Sequence, residues 1–307
     1  MSAIIEVEGL RKRYKRHRRP PTMAVDGLDL SVPQGGVFGF LGPNGSGKTT
    51  TIRCLLGLVA PTEGRTRLLG AEPSSLTSVI RKVGSLVESP TFFPTFTGRM
   101  NLELLGAVDG ISKGRVTEVL ERVGLTSRAD DPFKAYSLGM KQRLGIGAAL
   151  MKDPELLILD EPANGLDPAG IKEVRELLRA LGAEGRTVFV SSHLLGEVQQ
   201  ICDRVAILSH GRCIASGAVA EVLSAGRRAG LVVRLREVER GADVLRAAGF
   251  DVTLEADSGG LTVATDASDG ARVTEALARQ GLYLSELRAE EINLEDVFLQ
   301  LTKEPES

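Results

Sequence analysis

Apolar residues along the chain fall into short blocks with alternating or helical spacing, and these blocks predict the order of its elements. Ile4, Ile5, Val7 and Leu10 open a strand, and Leu28, Leu30 and Val32 alternate in a second, so the two predict a hairpin. Between them lies a basic segment, Arg11 to Arg19, ending in Pro20-Pro21. It reads as a solvated loop, with contact to anionic lipid head groups as the sharper alternative. The run Val37-Phe38-Gly39-Phe40-Leu41 predicts a buried strand, and Thr50 to Leu58 predict a helix with Ile52, Leu55, Leu56 and Val59 on one side. Further on, Arg65 to Leu69 reads as a strand, Leu76 to Lys82 as a helix, and Val83 to Val87 as a strand ended by Glu88.

From about residue 90 to 150 the pattern is helical without strands: Gly98 to Val108, Lys113 to Val123, and a helix after Ser137-Leu138-Gly139. This predicts an inserted helical subdomain. Leu156-Leu157-Ile158-Leu159 is wholly apolar, the mark of a strand covered on both faces of a parallel sheet, and it delivers Asp160 and Glu161 to its end. Asp167 is placed to cap a helix that begins with Pro168 and turns Ile171, Val174, Leu177 and Leu178 inward. Thr187 to Ser191 is another buried strand ending beside His193, and Arg204 to Leu208 with Arg212 to Ala215 form a hairpin around His210-Gly211.

Residues 224–230 are small, basic and Gly-containing and read as a linker, which sets a first domain at 1–223 and a second at 231–303. In the second, strands are expected at 231–235, 252–254, 261–264 and 282–287, and helices at 242–248, 271–279 and 294–301, with a turn about Ser258-Gly259-Gly260. Strand, helix, two strands, helix, strand is the ferredoxin-like order. No catalytic constellation falls in it, so it reads as a docking or dimer-stabilising appendage, with a regulatory ligand site as the alternative.

A chain of 307 residues suits two domains. Lys and Arg number 38 against 40 Asp and Glu, and the net charge of -2 gives no reason to propose a nucleic-acid partner. Cys54, Cys202 and Cys213 show no paired metal or redox spacing, which points to reduced thiols and a cytoplasmic setting. Met1 to Glu8 lacks a signal-peptide pattern, and no run approaches the roughly 18 apolar residues of a membrane span. Any membrane role is therefore expected to come through a partner.

The chemistry gathers at Gly42-Pro43-Asn44-Gly45-Ser46-Gly47-Lys48-Thr49-Thr50, between the buried strand and its helix. Glycines let successive backbone N–H groups turn toward a polyphosphate, and the helix N-terminus adds partial positive charge. Lys48 reaches the outer phosphates, and Thr49 offers a hydroxyl to Mg²⁺. A Gly-rich turn would be the bland reading, but strand, motif and helix occur together. Phosphoryl transfer from ATP also needs a metal ligand and a group that orients water. Asp160 is positioned for Mg²⁺ and Glu161 for the attacking water, while His193 ends the next strand within reach of the γ-phosphate.

These motifs together resemble the ATP-binding subunit of an ATP-binding cassette (ABC) transporter, from about Ile4 to Val222. The resemblance implies a P-loop α/β core with a helical subdomain and a small C-terminal α/β domain. It makes Tyr14 the adenine-stacking aromatic, Gly42 to Thr50 the Walker A loop and Leu156 to Glu161 Walker B with Glu161 catalytic. Asn164 to Asp167 becomes the D-loop and His193 the switch histidine. The signature appears as Tyr136-Ser137-Leu138-Gly139-Met140, followed by Lys141-Gln142-Arg143-Leu144, and it keeps Ser137 and Gly139 as γ-phosphate contacts. Leu138 and Met140 stand where the family has Gly and Gln. The Q-loop position is Glu88, which as a carboxylate cannot donate as an amide does. An acid beside a triphosphate requires a nearby cation, so Glu88 is expected to engage metal or water. The Glu88 and Tyr136 to Leu144 variants are similar to subunits serving bacitracin- and lantibiotic-type peptide exporters, and Ile292 to Leu299 resembles the tail of drug-exporter subunits.

The resemblance further implies ATP and Mg²⁺ as cofactors, a homodimer that sandwiches two ATP molecules, and a separately encoded integral membrane permease at the cytoplasmic face of the membrane. Phe92, Phe93 and Phe96 are candidates for permease contact or for core packing. A single Walker A argues against a two-cassette translation-type ATPase, and the compact stretch from Lys48 to Ser137 argues against a coiled-coil chromosome-type one. An ATP-binding sensor or immunity module with little transport activity remains the alternative.

Overall fold

The computed structural model describes residues 3–16, 19–88, 91–226, 230–255, 260–290 and 293–302. The chain divides into two compact units, Met1–Val219 and Ala220–Ser307.

The first unit opens with β1 (Ala3–Arg16) and β2 (Arg19–Pro33), followed by β3 (Gly36–Leu41), α1 (Lys48–Leu55), β4 (Glu63–Leu68) and β5 (Val83–Leu86). Next come α2 (Gly98–Val108), α3 (Lys113–Arg122), α4 (Leu138–Leu150), β6 (Leu156–Asp160) and α5 (Pro168–Ala183). The unit ends with β7 (Thr187–Ser192), α6 (Leu195–Gln199), β8 (Arg204–Ser209) and β9 (Arg212–Ala218). Helix α7 (Val219–Gly226) begins at the boundary.

Two sheets build this unit. Strands β2-β1-β4 form an antiparallel sheet, and β5-β6-β7-β3-β8-β9 form a six-stranded sheet, parallel except for β9. The core lies where both meet α1: Ile5, Leu10 and Leu28 from one sheet, Phe40, Ile158 and Phe189 from the other, and Ile52 and Leu55 from the helix. Phe189 stacks on Phe38 at 5.8 Å and tilts against Phe40 at 5.1 Å, so β3 and β7 are locked side chain to side chain. A Cβ at Gly182 of α5 would lie 2.8 Å from Val37 Cγ2, so the absence of a side chain there lets α5 pack onto β3.

Two sequence expectations change. The basic segment is strand, not loop, through Arg16 and again from Arg19; residues 17 and 18 lie outside the described residues. Its first two cations find partners on neighbouring chain segments. Arg11 pairs with Asp26 at 3.3 Å and Glu63 at 3.0 Å, and Lys12 reaches the Ala60 carbonyl at 2.7 Å. Cross-strand opposite charges support a ladder that a run of like charge by itself would disfavour. The expected helix from Leu76 to Lys82 is instead two short 3₁₀ segments, Pro73–Ser78 and Ile80–Lys82. Hydroxyls of Ser75 and Ser78 bond back to the carbonyls of Glu72 and Ser75, the competition that makes serine a weak helix former.

The second unit contains β10 (Leu231–Leu235), α8 (Val238–Ala247), β11 (Val252–Glu255), β12 (Gly260–Val263), α9 (Gly270–Ala278), β13 (Leu284–Ala289) and α10 (Leu294–Thr302). Its sheet runs β11-β12-β10-β13, antiparallel throughout, the split arrangement of ferredoxin-like domains. Leu231, Val233 and Leu235 face α8 and α9 residues such as Leu245 and Leu277 in a core of their own. Of the expected turn about 258–260 only Gly260 is described, and of the expected linker residues 227–229 lie outside the described residues, while 224–226 are not linker but the end of α7.

Cys54 and Cys202 are buried, Cys213 is half-buried, and all three are free thiols. Burial pushes each thiol above the usual cysteine range. The native protein should therefore resist a thiol reagent at Cys54 and Cys202 and react slowly at Cys213, with all three labelled once unfolded. Rapid modification of Cys202 in the folded protein would contradict this packing. Among the described residues no helix is long and apolar enough to cross a membrane.

Candidate functional site

Strand β3 delivers the chain into Gly42 to Gly47, and α1 starts at Lys48. The loop is held from both sides: Gly42 N–H donates to the Ser192 carbonyl at 3.2 Å, and Gly211 N–H donates to the Ser46 carbonyl at 3.0 Å. Gly47 has φ near +107°, and a Cβ there would lie 2.5 Å from the Ala24 carbonyl oxygen, so glycine is required on both counts. Helices α2, α3, α4 and α5 are capped by the side chains of Thr97, Ser112, Ser137 and Asp167. Helix α1 has no side-chain cap. Its first-turn N–H groups therefore face the loop unsatisfied by a cap, and the buried Ser46 hydroxyl beside them has no partner among the described residues. This donor set fits an anionic phosphate.

Lys48 is 5% exposed, and its Nζ donates to the carbonyls of Gly42 at 2.6 Å and Pro43 at 3.2 Å while lying 3.2 Å from Glu161 Oε1. Glu161 follows β6 with φ near +50°, a left-handed conformation that costs a non-glycine residue on the order of 1–3 kcal/mol. That turn places its carboxylate between Lys48 and His193, whose Nδ1 is 2.8 Å from Oε2. A carboxylate only accepts, so this contact puts a proton on Nδ1. Ser191, at the end of β7, binds both acids: its hydroxyl donates to Asp160 Oδ1 and accepts from Glu161 N–H at 3.0 Å. Neither Ser191 nor its role was singled out from the sequence, although it sits two residues before His193 on the same predicted strand.

Among the described residues no group of three or more His, Cys, Asp or Glu side chains could hold a metal unaided. Asp160, buried at the C-terminal end of the interior strand β6, and half-buried Thr49 fit a Mg²⁺ whose other ligands would be phosphate oxygens and water. Half-buried Thr50 follows them in the first turn, while Pro43, Asn44 and Gly45 form the exposed crest of the loop.

The other expected site residues stand apart from this cluster. Tyr14 is half-exposed on β1 opposite Thr22, with Lys12 Nζ 5.1 Å above its ring. Glu88, with φ near +68°, ion-pairs with Arg53 in the last turn of α1. Arg53 was not foreseen, because nothing local marks a residue 35 positions away as a partner. Ser137 caps α4 by accepting from Met140 N–H at 3.2 Å. A Cβ at Gly139 would meet nothing nearer than Gly170 Cα at 3.8 Å, so the chain's own packing does not demand glycine there. Leu138, 46% exposed, has Cδ2 within 3.3 Å of where a Cβ at Gly165 would stand, so signature and D-loop touch.

Residues 25–164 match the family model described as ABC transporter. The chain is 38% identical over 304 residues to the bacitracin transport ATP-binding protein BcrA of Enterococcus faecalis, covering 98% of this chain and 97% of that one. It is 37% identical over 311 residues to the daunorubicin/doxorubicin resistance ATP-binding protein DrrA of Streptomyces peucetius, covering 98% and 93%. Among solved structures, cbiO1 from Clostridium perfringens, part of the ABC transporter complex cbiONQ, superposes with a TM-score of 0.64 at 29% identity, over 73% of this chain and 92% of that one. An uncapped phosphate-binding helix, an acid pair bound by one serine, and near full-length similarity of this kind lead to one conclusion: the chain belongs to the ABC transporter family, as an ATP-binding subunit that hydrolyses ATP.

Proposed function

We propose that two copies of this chain enclose two Mg-ATP molecules, each phosphate loop being completed by Ser137 and Gly139 of the other copy, and that the cycle drives an exporter permease at the cytoplasmic face of a membrane. The observation that carries the reading is the state of the signature. Ser137 spends an acceptor lone pair on Met140 N–H, which leaves its exposed hydroxyl proton for an outside oxygen, beside a glycine that intrachain packing does not require.

In this reading Lys48 moves from the Gly42 and Pro43 carbonyls to the outer phosphates, and the helix N-terminus binds alongside it. Mg²⁺, held by Thr49 and Asp160, would neutralise developing charge on the phosphoryl oxygens. Glu161 accepts the proton of the attacking water, and His193 holds its carboxylate through Nδ1; donation from Nε2 to a phosphate oxygen would require the doubly protonated ring. Tyr14 offers its ring to the adenine.

Permease contact is assigned to the helical segment. Met100, Leu104 and Val108 share one face of α2 and are 46%, 44% and 86% exposed, with Phe93 at 55% near its start. Such a stripe at helical spacing suits another helix. Phe92 instead packs edge-on against Phe133 at 5.1 Å, and Phe96 against Phe93 at 5.1 Å. Cargo of the drug or peptide-antibiotic class is supported by the names of the relatives above.

Ser137→Arg tests the sandwich. In a Glu161→Gln background with Mg-ATP, size-exclusion chromatography should show dimer, and adding Ser137→Arg should return the protein to monomer while each copy still binds ATP. A dimer that survives the arginine removes the sandwich.

A further inference from the structure

The phosphate helix carries a second cation whose partner lies on the loop after β5. Helix α1 is eight residues long, with Lys48 at its start and Arg53 in its last turn, about 7–8 Å further along the axis. Ile52, Cys54 and Leu55 are fully buried, so the helix is held as one piece in the core. Arg53 Nη2 pairs with Glu88 Oε1, and Glu88 is the last described residue before 91–96, the stretch that runs through Phe93 into the exposed face of α2. The cation beside Glu88 in this structure is thus Arg53. Arginine keeps its charge at any working pH.

We infer that Arg53 is a positioning residue: through Glu88 it ties the loop after β5 to the helix that bears Lys48, so that displacement of the loop reaches the phosphate site as displacement of α1. The pairing itself stands on the geometry. Only the assignment of the permease as the source of displacement rests on the function proposed above.

The chain contains no tryptophan, so Phe93→Trp places a single reporter in the loop. In that full-length background, Arg53→Gln and Glu88→Gln should each shift the tryptophan emission to the same new value. Each should also lower kcat by about two- to fivefold, the range open to a half-exposed ion pair, with the Mg²⁺ midpoint unchanged. The exchanged pair Arg53→Glu with Glu88→Arg should restore emission and kcat, and Arg53→Lys should retain most of both. The inference is overturned if Glu88→Gln moves the Mg²⁺ midpoint while Arg53→Gln does not, which would make Glu88 a metal ligand. It is also overturned if neither the exchange nor Arg53→Lys preserves the wild-type emission. A Glu161→Gln protein that stays monomeric with Mg-ATP would defeat the proposed function, while the emission would still report the pairing.

Discussion

Glu161→Gln is expected to slow ATP hydrolysis by about 10²–10⁴-fold, the usual contribution of a positioned general base, and to accumulate the ATP-bound dimer. The side chain keeps its shape, and its amide oxygen can still accept from His193 Nδ1, so the local frame built by Ser191 survives. Two things are lost. The amide cannot take a proton from water, and it no longer offers Lys48 a charged partner at 3.2 Å. The second loss works in favour of nucleotide binding, because Lys48 has one competitor fewer for the outer phosphates. In size-exclusion runs with Mg-ATP the wild-type protein should be largely monomeric and the variant shifted to dimer. Hydrolysis at the wild-type rate would remove Glu161 from the mechanism.

Lys48→Ala should weaken Mg-ATP binding by about 10- to 100-fold, the loss that corresponds to one or more charge-assisted hydrogen bonds. The argument is local. Lys48 is nearly fully buried and donates to two loop carbonyls, so its ammonium already sits inside the phosphate cradle and needs only to exchange acceptors. Alanine removes that charge and also strands the Glu161 carboxylate oxygen that Lys48 neutralises. Anion binding is then opposed where it was assisted. Titration calorimetry on protein with wild-type circular dichroism is the measurement, and unchanged affinity would refute the role given to Lys48.

Features that depend on neighbours in sequence were readable from the chain alone. The run Val37 to Leu41 and the run Leu156 to Leu159 become the two strands that flank β7 in one parallel sheet's interior, because unbroken apolar stretches have no stable place except between two covering layers. Asp167 caps α5, accepting from Gly170 N–H at 3.2 Å, as its place before Pro168 predicts. What stayed hidden depends on partners far along the chain. Arg11 to Arg19 reads as loop because the acids that pair with Arg11, Asp26 and Glu63, are brought alongside only by strand pairing. Leu76 to Lys82 has apolar residues at helical spacing, yet serine hydroxyls capture the carbonyls a regular helix would use. At the site, the motif residues were visible, but the Ser191 bridge and the Arg53 partner of Glu88 are products of tertiary packing.

The placement of β3 bears on how the protein comes into being. Phe38 pairs with Phe189 on one side and with Arg204 on the other, and Gly42 N–H waits for the carbonyl of Ser192. During synthesis the phosphate loop therefore leaves the ribosome long before either strand that frames it. Until β7 and β8 arrive, β3 is an apolar strand with two open edges, the sort of segment that invites wrong pairing. Both strands are needed before the loop, both acids and His193 can lie in register. A chain truncated before β7 would carry every residue of the phosphate loop and still lack the cradle, so the capacity to hold ATP marks a completed first unit.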